Sequence, residues 1–131
     1  MDYIEPHELK AILSTQIPQK DYLIIDVRGD DFFVGNIPGC RHIPSHEFLE
    51  SACEFVKEFE QIPLLVFHCA LSQVRGPKCM QRYRTLRDQQ ASTSTAQRVR
   101  VLRGGFANWL SCYKNDPSCV EHVDHVYWEN Q

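Results

Sequence analysis

Three short, mostly apolar runs, separated by longer amphipathic segments, constrain the fold of this chain most strongly. The runs are YLII at 22–25, LLVF at 64–67 and VRVL at 99–102. Each is short and β-prone, which is typical of a buried strand. Strands that alternate with helices form parallel sheets, because the crossover helices cover the faces. The sequence therefore predicts an α/β fold with a central, mainly parallel sheet flanked by helices.

The segments between these runs carry helix signals. Pro6 is typical of a first helical turn, and we expect its helix to end near Thr15. Ser45 is predicted to N-cap an amphipathic helix that continues to Val56. Further predicted elements are a short strand at 40–43, a helix at 76–88, a polar surface loop at 89–97 and a last helix after the glycine pair at 104–105.

Length and composition favour one domain. The chain has 131 residues and is 43% hydrophobic, which suits a single core. We assign the domain to residues 1–114 and interpret 115–131 as a C-terminal tail without predicted regular structure. There is no apolar run of 18 residues and no signal-peptide pattern at the N-terminus. We therefore expect a cytoplasmic protein, with the nucleus as a second compartment, no membrane partner and mostly free thiols.

Charge is distributed unevenly along the chain. Residues 68–103 contain eight of the 14 Lys and Arg residues but only one acid, Asp88, although the whole chain carries a net charge of −3. A basic region of this kind attracts anions, binds nucleic acid or forms a solvated helix face. Because the overall charge is acidic and no nucleic-acid-binding module is recognisable, we expect an anionic substrate and no nucleic-acid partner.

Within this basic region, the segment HCALSQVR at 68–75 carries the strongest functional signal. Cys69 follows a predicted strand, and Arg75 stands six positions later, where the next helix begins. A loop of this length can curl so that its backbone N–H groups point inwards, beside the positive end of the helix dipole. The residues predicted to bind a tetrahedral oxyanion through this backbone are Ala70, Leu71, Gln73 and Val74.

Side chains of the same segment predict nucleophilic catalysis. Donors that bind an anion also stabilise a thiolate, so Cys69 is expected to be nucleophilic at neutral pH. Arg75 can bind the oxyanion through two hydrogen bonds, and Ser72 can hydrogen-bond the sulfur when it leaves. We expect His68 to order the loop. A Cys and an Arg at this spacing also occur by chance around structural cysteines, but the preceding strand and the Gly-Pro helix start favour catalysis.

Three motifs carry a family resemblance: IIDVRGDDFFVGNIPG at 24–39, VFHCALSQVRGP at 66–77 and VLRGGFANW at 101–109. They resemble the rhodanese-like fold over residues 3–113, in particular its cell-division-cycle dual-specificity phosphatase and small eukaryotic arsenate reductase branch. Rhodanese sulfurtransferases have a shorter loop after the nucleophile, whereas the seven residues from Cys69 to Arg75 match the phosphatases and arsenate reductases. The resemblance implies a rhodanese-like α/β fold with a site sized for phosphate or arsenate.

The same resemblance assigns supporting roles to residues outside the loop. It implies that Asp26 braces the active loop and that Arg28 pairs with an acid such as Asp31, so that neither reacts with the substrate. It also places Phe106 and Trp109 in the core.

Two positions depart from the family pattern. Val27 stands where the large cell-cycle phosphatases carry a cysteine that can trap the oxidised nucleophile in a disulfide. Asn36 replaces the His of the Gly-His-Ile turn. Small arsenate reductases and minimal fungal or plant phosphatases are therefore the nearer kin.

Three functions remain open at this point. A protein tyrosine or dual-specificity phosphatase acting on phosphoproteins, our first expectation, would form a phosphocysteine at Cys69 and hydrolyse it with water, without a cofactor. An arsenate reductase would form a Cys69–arsenate adduct that glutathione and a partner glutaredoxin resolve. A non-catalytic phosphopeptide or anion binder is less favoured, because it needs no thiolate. The loop offers no leaving-group acid, and Asp30 and Asp31 are the candidates outside it.

Other cysteines and histidines are candidate ligands or redox partners. Cys79, in the helix after the loop, could resolve an oxidised Cys69, although a packed helix residue is the commoner interpretation. The C-terminal set matches no closed zinc spacing, and we predict no metal site. That set is Cys112, Cys119, His122 and His125.

Overall fold

A parallel sheet forms the centre of the computed structural model, which describes residues 2–90 and 96–131. Within these residues the sheet has five strands in the order β1-β5-β4-β2-β3, and all neighbours are parallel. The predicted α/β fold with a parallel sheet is therefore confirmed. The strands are β1 Tyr3–Ile4, β2 Leu23–Asp26, β3 Arg41–His42, β4 Leu64–His68 and β5 Arg98–Leu102.

Helices connect the strands and cover the sheet. No helix within the described residues is long and apolar enough to span a membrane. A short 3₁₀ helix, Asp30–Val34, follows β2. The α-helices are α1 Pro6–Thr15, α2 Ser45–Glu50, α3 Ala52–Phe59, α4 Arg75–Gln90, α5 Gly105–Tyr113 and α6 His125–Glu129.

The two faces of the sheet belong to two core clusters. Successive strand residues point to opposite faces, so Ile25 packs with residues of α2, α3 and α4, whereas Ile24 packs with residues of α1 and α5. β2 and β4 are buried at every position because helices cover both faces. Phe106 and Trp109 are completely buried, which confirms their prediction as core residues.

The segment predicted as one helix from Ser45 to Val56 is two helices. Ser51, with φ −112° and ψ 20°, leaves helical geometry between α2 and α3. Ser45 is the first residue of α2, and Pro44 occupies the N-cap position, so the predicted serine cap is wrong. The apolar period continues across the single non-helical residue, and a pattern of spacings therefore gives no sign of the break.

The prediction of a polar surface loop at 89–97 agrees with the structure only in part. Its first two residues extend α4, and residues 91–95 lie outside the described residues. Gln97 at its end is anchored: its Nε2 donates to the carbonyl oxygens of Phe59 at 2.7 Å and Ile62 at 2.9 Å. Its Oε1 accepts from the Tyr83 hydroxyl at 3.0 Å.

The C-terminal segment 115–131 packs against the sheet domain. Cys119 and Val120 are buried in the same cluster as Trp109, whose Nε1 donates to the Cys119 carbonyl at 2.8 Å. The segment then forms α6. The sequence makes no structural prediction for this segment, because the three hydrophobic residues Val126, Tyr127 and Trp128 are too few to indicate a helix of five residues.

A buried ion pair lies at the carboxyl end of β2. Arg28 Nε and Nη2 donate to the Asp26 carboxylate at 2.7–3.2 Å, and both residues are 0% exposed. Burial opposes ionisation of Asp26, but the charges of His68 and Arg28 and the hydrogen bonds from Arg28 hold the pKa of this carboxyl below its usual value. The ion pair is thus fully formed at neutral pH.

Arg28 also holds the chain that follows β2. Its Nη1 donates to the Asp31 carbonyl at 3.1 Å and its Nη2 to the Gly35 carbonyl at 2.7 Å. The expected pairing of Arg28 with the Asp31 carboxylate is wrong, because Asp26 satisfies the guanidinium charge and Asp31 offers it only a backbone oxygen. The carboxylate of Asp31 is left to face another residue.

Asp26→Asn should lower the free energy of unfolding by about 3–5 kcal/mol, because Arg28 would stay buried without its counter-charge. Asp30→Asn changes an exposed carboxylate nearby and should alter the free energy by less than about 0.5 kcal/mol. Urea unfolding of the two variants and the wild type measures both values. Similar effects of the two substitutions would show that the buried pair does not stabilise the fold.

Candidate active site

The end of β4 and the start of α4 frame the loop predicted to be catalytic. Cys69 directly follows β4, and Arg75 is the first residue of α4. The Gly76 N–H donates to Cys69 Sγ at 3.3 Å, and Cys69 is only 3% exposed. The sulfur therefore lies at the N-terminus of a 16-residue helix, where backbone donors and the helix dipole favour negative charge.

The N-terminus of α5 fixes the other side of this loop. The N–H groups of Phe106 and Ala107 donate to the carbonyl oxygens of Cys69 and Ala70, each at 3.0 Å. Gly105 permits this approach, because a Cβ atom there would lie 2.5 Å from both oxygens, and its φ is +64°. The loop is thus held by its carbonyl groups, and a residue larger than glycine does not fit behind it.

Arg75 is paired with Asp31 of the 3₁₀ helix. Its Nη1 and Nη2 donate to Oδ1 and Oδ2 at 3.0 and 2.8 Å. These hydrogen bonds, aided by the opposite charges, lower the pKa of Asp31 and raise that of Arg75. The two side chains are 36% and 31% exposed, so solvent screens the pair and an anion can reach the guanidinium. Arg75 therefore presents a bidentate hydrogen-bond donor next to the Cys69 loop, and the Asp31 carboxylate is its acceptor.

Two buried polar atoms in this region lack a hydrogen-bond partner among the described residues: His68 Nε2 and Ser72 Oγ. His68 Nδ1 lies 3.2 Å from the Cys69 carbonyl oxygen. Burial lowers the pKa of His68, although the nearby Asp26 carboxylate favours the charged form. Ser72 is 2% exposed and has a φ of 54°, which is uncommon outside glycine. Its hydroxyl is therefore a buried polar group without a hydrogen-bond partner in the described part of the chain.

Exposed apolar side chains lie on the Cys69 loop and on the 3₁₀ helix that pairs with Arg75. Leu71 and Val74 are 53% and 69% exposed, and Phe33, on the 3₁₀ helix that carries Asp31, is 71% exposed. Gln73 is also exposed, whereas Ala70 is half-buried. Leu71, Val74 and Phe33 are here called the apolar rim. Large apolar side chains on the two segments that contribute Arg75 and Asp31 favour contact with an organic ligand.

The other candidate residues do not form a second site. Cys79 is buried in the same cluster as Cys69, and burial together with that neighbour raises the pKa of its thiol to about 12. Within residues 2–90 and 96–131, no group of three or more His, Cys, Asp or Glu side chains could hold a metal ion. Of the C-terminal candidates, Cys119 is buried and the exposed residues are Cys112, His122 and His125.

Sequence reasoning missed two parts of the site. The sequence indicates Asp31 as a partner of Arg28 or as an acid, but not as the partner of Arg75, which lies 44 residues away. It indicates Gly105 only as part of a turn. A usable signal was present for the glycine, because two glycines stand where a helix normally has a polar N-cap. No local pattern indicates the Asp31 contact.

Comparison with known proteins identifies the family. Residues 5–112 match the rhodanese-like domain. A dual-specificity phosphatase, Cdc25, of Arabidopsis thaliana is 34% identical over 118 residues, which cover 86% of this chain and 81% of the relative. The chain therefore belongs to the rhodanese-like domain family, as its motifs indicated.

Solved structures similar to this chain include enzymes of both expected kinds. A yeast protein tyrosine phosphatase of the rhodanese family has a TM-score of 0.72 at 28% identity, covering 96% of this chain and 95% of the yeast chain. An As-Sb reductase of Leishmania major has a TM-score of 0.78 at 29% identity, covering 90% and 83%. The resemblance to the phosphatase and arsenate reductase branch is thus confirmed.

Gly105→Ala should displace the Cys69 loop and weaken the binding of inorganic phosphate at least about tenfold, because the new methyl group overlaps two loop carbonyls. Gly39→Ala is the matched control: its φ is also positive, at +79°, but its nearest contact is an ordinary 3.6 Å. Both variants should lose about 1 kcal/mol of stability from the strained φ. Calorimetric titration and thermal unfolding separate the two effects. Equal phosphate binding by both variants would contradict the role of Gly105.

Proposed function

We propose that this protein is a Cys-dependent phosphatase that hydrolyses phosphotyrosine-like esters of phosphoproteins through a phosphocysteine at Cys69. The observation that carries the proposal is the position of Cys69 Sγ at the N-terminus of α4, 3.3 Å from the Gly76 nitrogen. The Arabidopsis and yeast relatives named as phosphatases support it.

The reaction has two steps. In the first, the Cys69 thiolate attacks phosphorus, the S–P bond forms, and the bond to the ester oxygen breaks with its electron pair on that oxygen. The leaving oxygen takes up a proton from solvent water. In the second, water attacks phosphorus, the S–P bond breaks, and inorganic phosphate and the thiolate are released. No cofactor or metal takes part.

Each residue of the loop has a defined task in these steps. Arg75 and the loop N–H groups bind the three non-bridging oxygens, and their contacts strengthen as charge shifts in the transition state. The unpartnered hydroxyl of Ser72 donates to the sulfur when the thiolate is expelled. The buried ring of His68 supports the strand end through the Cys69 carbonyl.

The state of Asp31 limits the choice of ester. Its pKa is lowered by Arg75, so it is ionised at neutral pH and has no proton to give to a leaving group. Asp30 is exposed and outside the ion pair. Without an acid, esters of phenols leave more readily than esters of aliphatic alcohols. Phosphotyrosine is therefore favoured over phosphoserine, and the apolar rim offers its ring a surface.

A second candidate, arsenate reduction, is supported by the same lack of an acid. Arsenate carries its own acidic proton, so departure of its hydroxyl needs no protein acid. The Cys69 thiolate would form an S–As bond, and two thiols, from glutathione and glutaredoxin, would supply two electrons, leaving arsenite and a mixed disulfide. The similarity to the Leishmania As-Sb reductase supports this alternative. A non-catalytic anion binder is the weakest candidate, because such a protein needs no thiol at the oxyanion site, and Cys69 lies there.

Cys69→Ser should reduce the hydrolysis of a small aryl phosphate at pH 6–8 at least about 10³-fold, because the hydroxyl replaces the nucleophilic thiolate. The variant should keep its fold and bind inorganic phosphate. Cys53→Ser, at an exposed cysteine, is the control and should keep full activity. A folded wild type that binds arsenate but hydrolyses no aryl phosphate would overturn the phosphatase proposal and leave glutathione-coupled arsenate reduction as the function.

The apolar rim separates the two enzymatic candidates. Leu71→Ser combined with Val74→Ser should lower kcat/KM for an aryl phosphate about three- to tenfold, through lost apolar contact, and should leave the affinity for inorganic arsenate within about twofold. Ile17→Ser changes an apolar residue of similar exposure, 54%, elsewhere on the surface and should change neither value. An equal loss for both ligands would mean that the rim only shapes the loop.

A further inference from the structure

The C-terminal segment 119–131, here called the strap, is bonded to the stretch of chain that carries Asp31. We propose that the strap sets the oxyanion affinity of the active site by holding Asp31 against Arg75, where Asp31 competes with the substrate. The inference rests on the proposed function only in requiring an oxyanion site at the Cys69 loop. It assigns positioning roles to residues that do not touch the substrate.

The first strap contact joins Asn36 and Glu121. Their backbones exchange two hydrogen bonds, of 3.0 Å from the Asn36 nitrogen and 2.9 Å from the Glu121 nitrogen. The Asn36 side chain adds a third, since its Nδ2 donates to Glu121 Oε2 at 2.9 Å. Asn36 is the position where the chain departs from the Gly-His-Ile pattern, so this side-chain bond depends on the departure.

The second contact is centred on Val34, the last residue of the 3₁₀ helix. Its carbonyl oxygen accepts from the Asp124 N–H at 3.0 Å and from Trp128 Nε1 at 2.8 Å. The Trp128 ring also packs on Phe106, with 5.8 Å between the ring centroids. Two donors on one carbonyl fix the end of the helix that begins with Asp30 and Asp31.

Arg28 holds the same stretch from the interior. It donates to the carbonyls of Asp31 and Gly35, and its guanidinium carbon lies 4.4 Å from the centre of the Phe106 ring. Segment 31–36 is thus bound by Arg28 on one side and by the strap on the other. Within residues 31–36, the side chain that hydrogen-bonds to the active site is that of Asp31, which accepts from Arg75.

Competition follows from the geometry at Arg75. Asp31 occupies both terminal nitrogens in the bidentate arrangement that a phosphate dianion also uses. An entering oxyanion must break this pair, and it also meets the negative charge of Asp31 nearby. A rigidly held Asp31 therefore lowers oxyanion affinity, whereas a loosened Asp31 can move away. A strap that merely covered the core would have the opposite effect when damaged, because a loosened site binds less well.

The test measures binding of inorganic phosphate by calorimetry, with every variant made in a Cys69→Ser background so that no covalent step intervenes. Asp31→Asn should raise phosphate affinity about two- to fivefold, the range expected for a partly exposed ion pair. Trp128→Ala should raise it about two- to threefold. Added to Asp31→Asn, Trp128→Ala should have no further effect, because the charge that the strap positions is already gone. Val126→Ala, at a 69% exposed site on α6, is the control and should bind like the parent.

Thermal unfolding of each variant establishes that it is folded. If Trp128→Ala does not fold, Glu121→Gln takes its place: it weakens the bond from Asn36 Nδ2 and removes the 3.8 Å ion contact of Glu121 with the exposed His122. Unchanged or reduced affinity in the strap variants, or an equal increase with and without Asp31, would overturn this inference alone. Absence of phosphate binding in all variants, the folded parent included, would overturn the proposed function together with the inference.

Discussion

Arg28 is a cation buried at the carboxyl end of the sheet, and the position of Asp31 in the active site follows from how the donors of Arg28 are used. Asp26 neutralises the charge, while the carbonyls of Asp31 and Gly35 take two of the donors. Burial of such a pair is costly unless every donor has an acceptor. Because one acceptor lies on β2 and the others on the 3₁₀ helix and its C-cap, the pair ties this helix to the sheet. The 3₁₀ helix then presents Asp31 to Arg75.

The nucleophile is placed by a different principle, the convergence of helix N-termini at the carboxyl end of a parallel sheet. α4 directs the Gly76 N–H at the sulfur of Cys69, and α5 binds the carbonyl of the same residue through Phe106. Sulfur and loop are thus fixed by backbone donors, which need no particular side chain. Arg75 adds a positive charge, whereas Gly105 contributes only the space that the loop carbonyls need. Most of the residues that build the site therefore act through their backbone and leave no chemical signature in the sequence.

The parts of the structure that the sequence predicts are those encoded by neighbours along the chain. The strand before Cys69, the loop to Arg75 and the helix after it follow from a local apolar run and a Gly-Pro start, and the structure agrees with all three. Arg28 was assigned the wrong acid because Asp26 and Asp31 are both close in sequence, and spacing cannot rank them. The contacts of Asp31 with Arg75 and of Asn36 with Glu121 join residues 44 and 85 positions apart. Periodicity carries no information about such contacts.

Phosphatase and arsenate reductase chemistry share the first bond to Cys69 and differ in what attacks the adduct next, water or a thiol. The described part of the chain offers no thiol of its own for this step near the sulfur: Val27 is apolar, and the thiol of Cys79, with a pKa of about 12, is not a nucleophile at neutral pH. A second thiol would have to come from solution, through the same mouth that admits the oxyanion. That mouth is bordered by the apolar rim and by Asp31, which carries a negative charge. Glutathione is an anion, so the ionised Asp31 disfavours its approach more than that of water, and the balance of charge at the mouth supports hydrolysis as the second step.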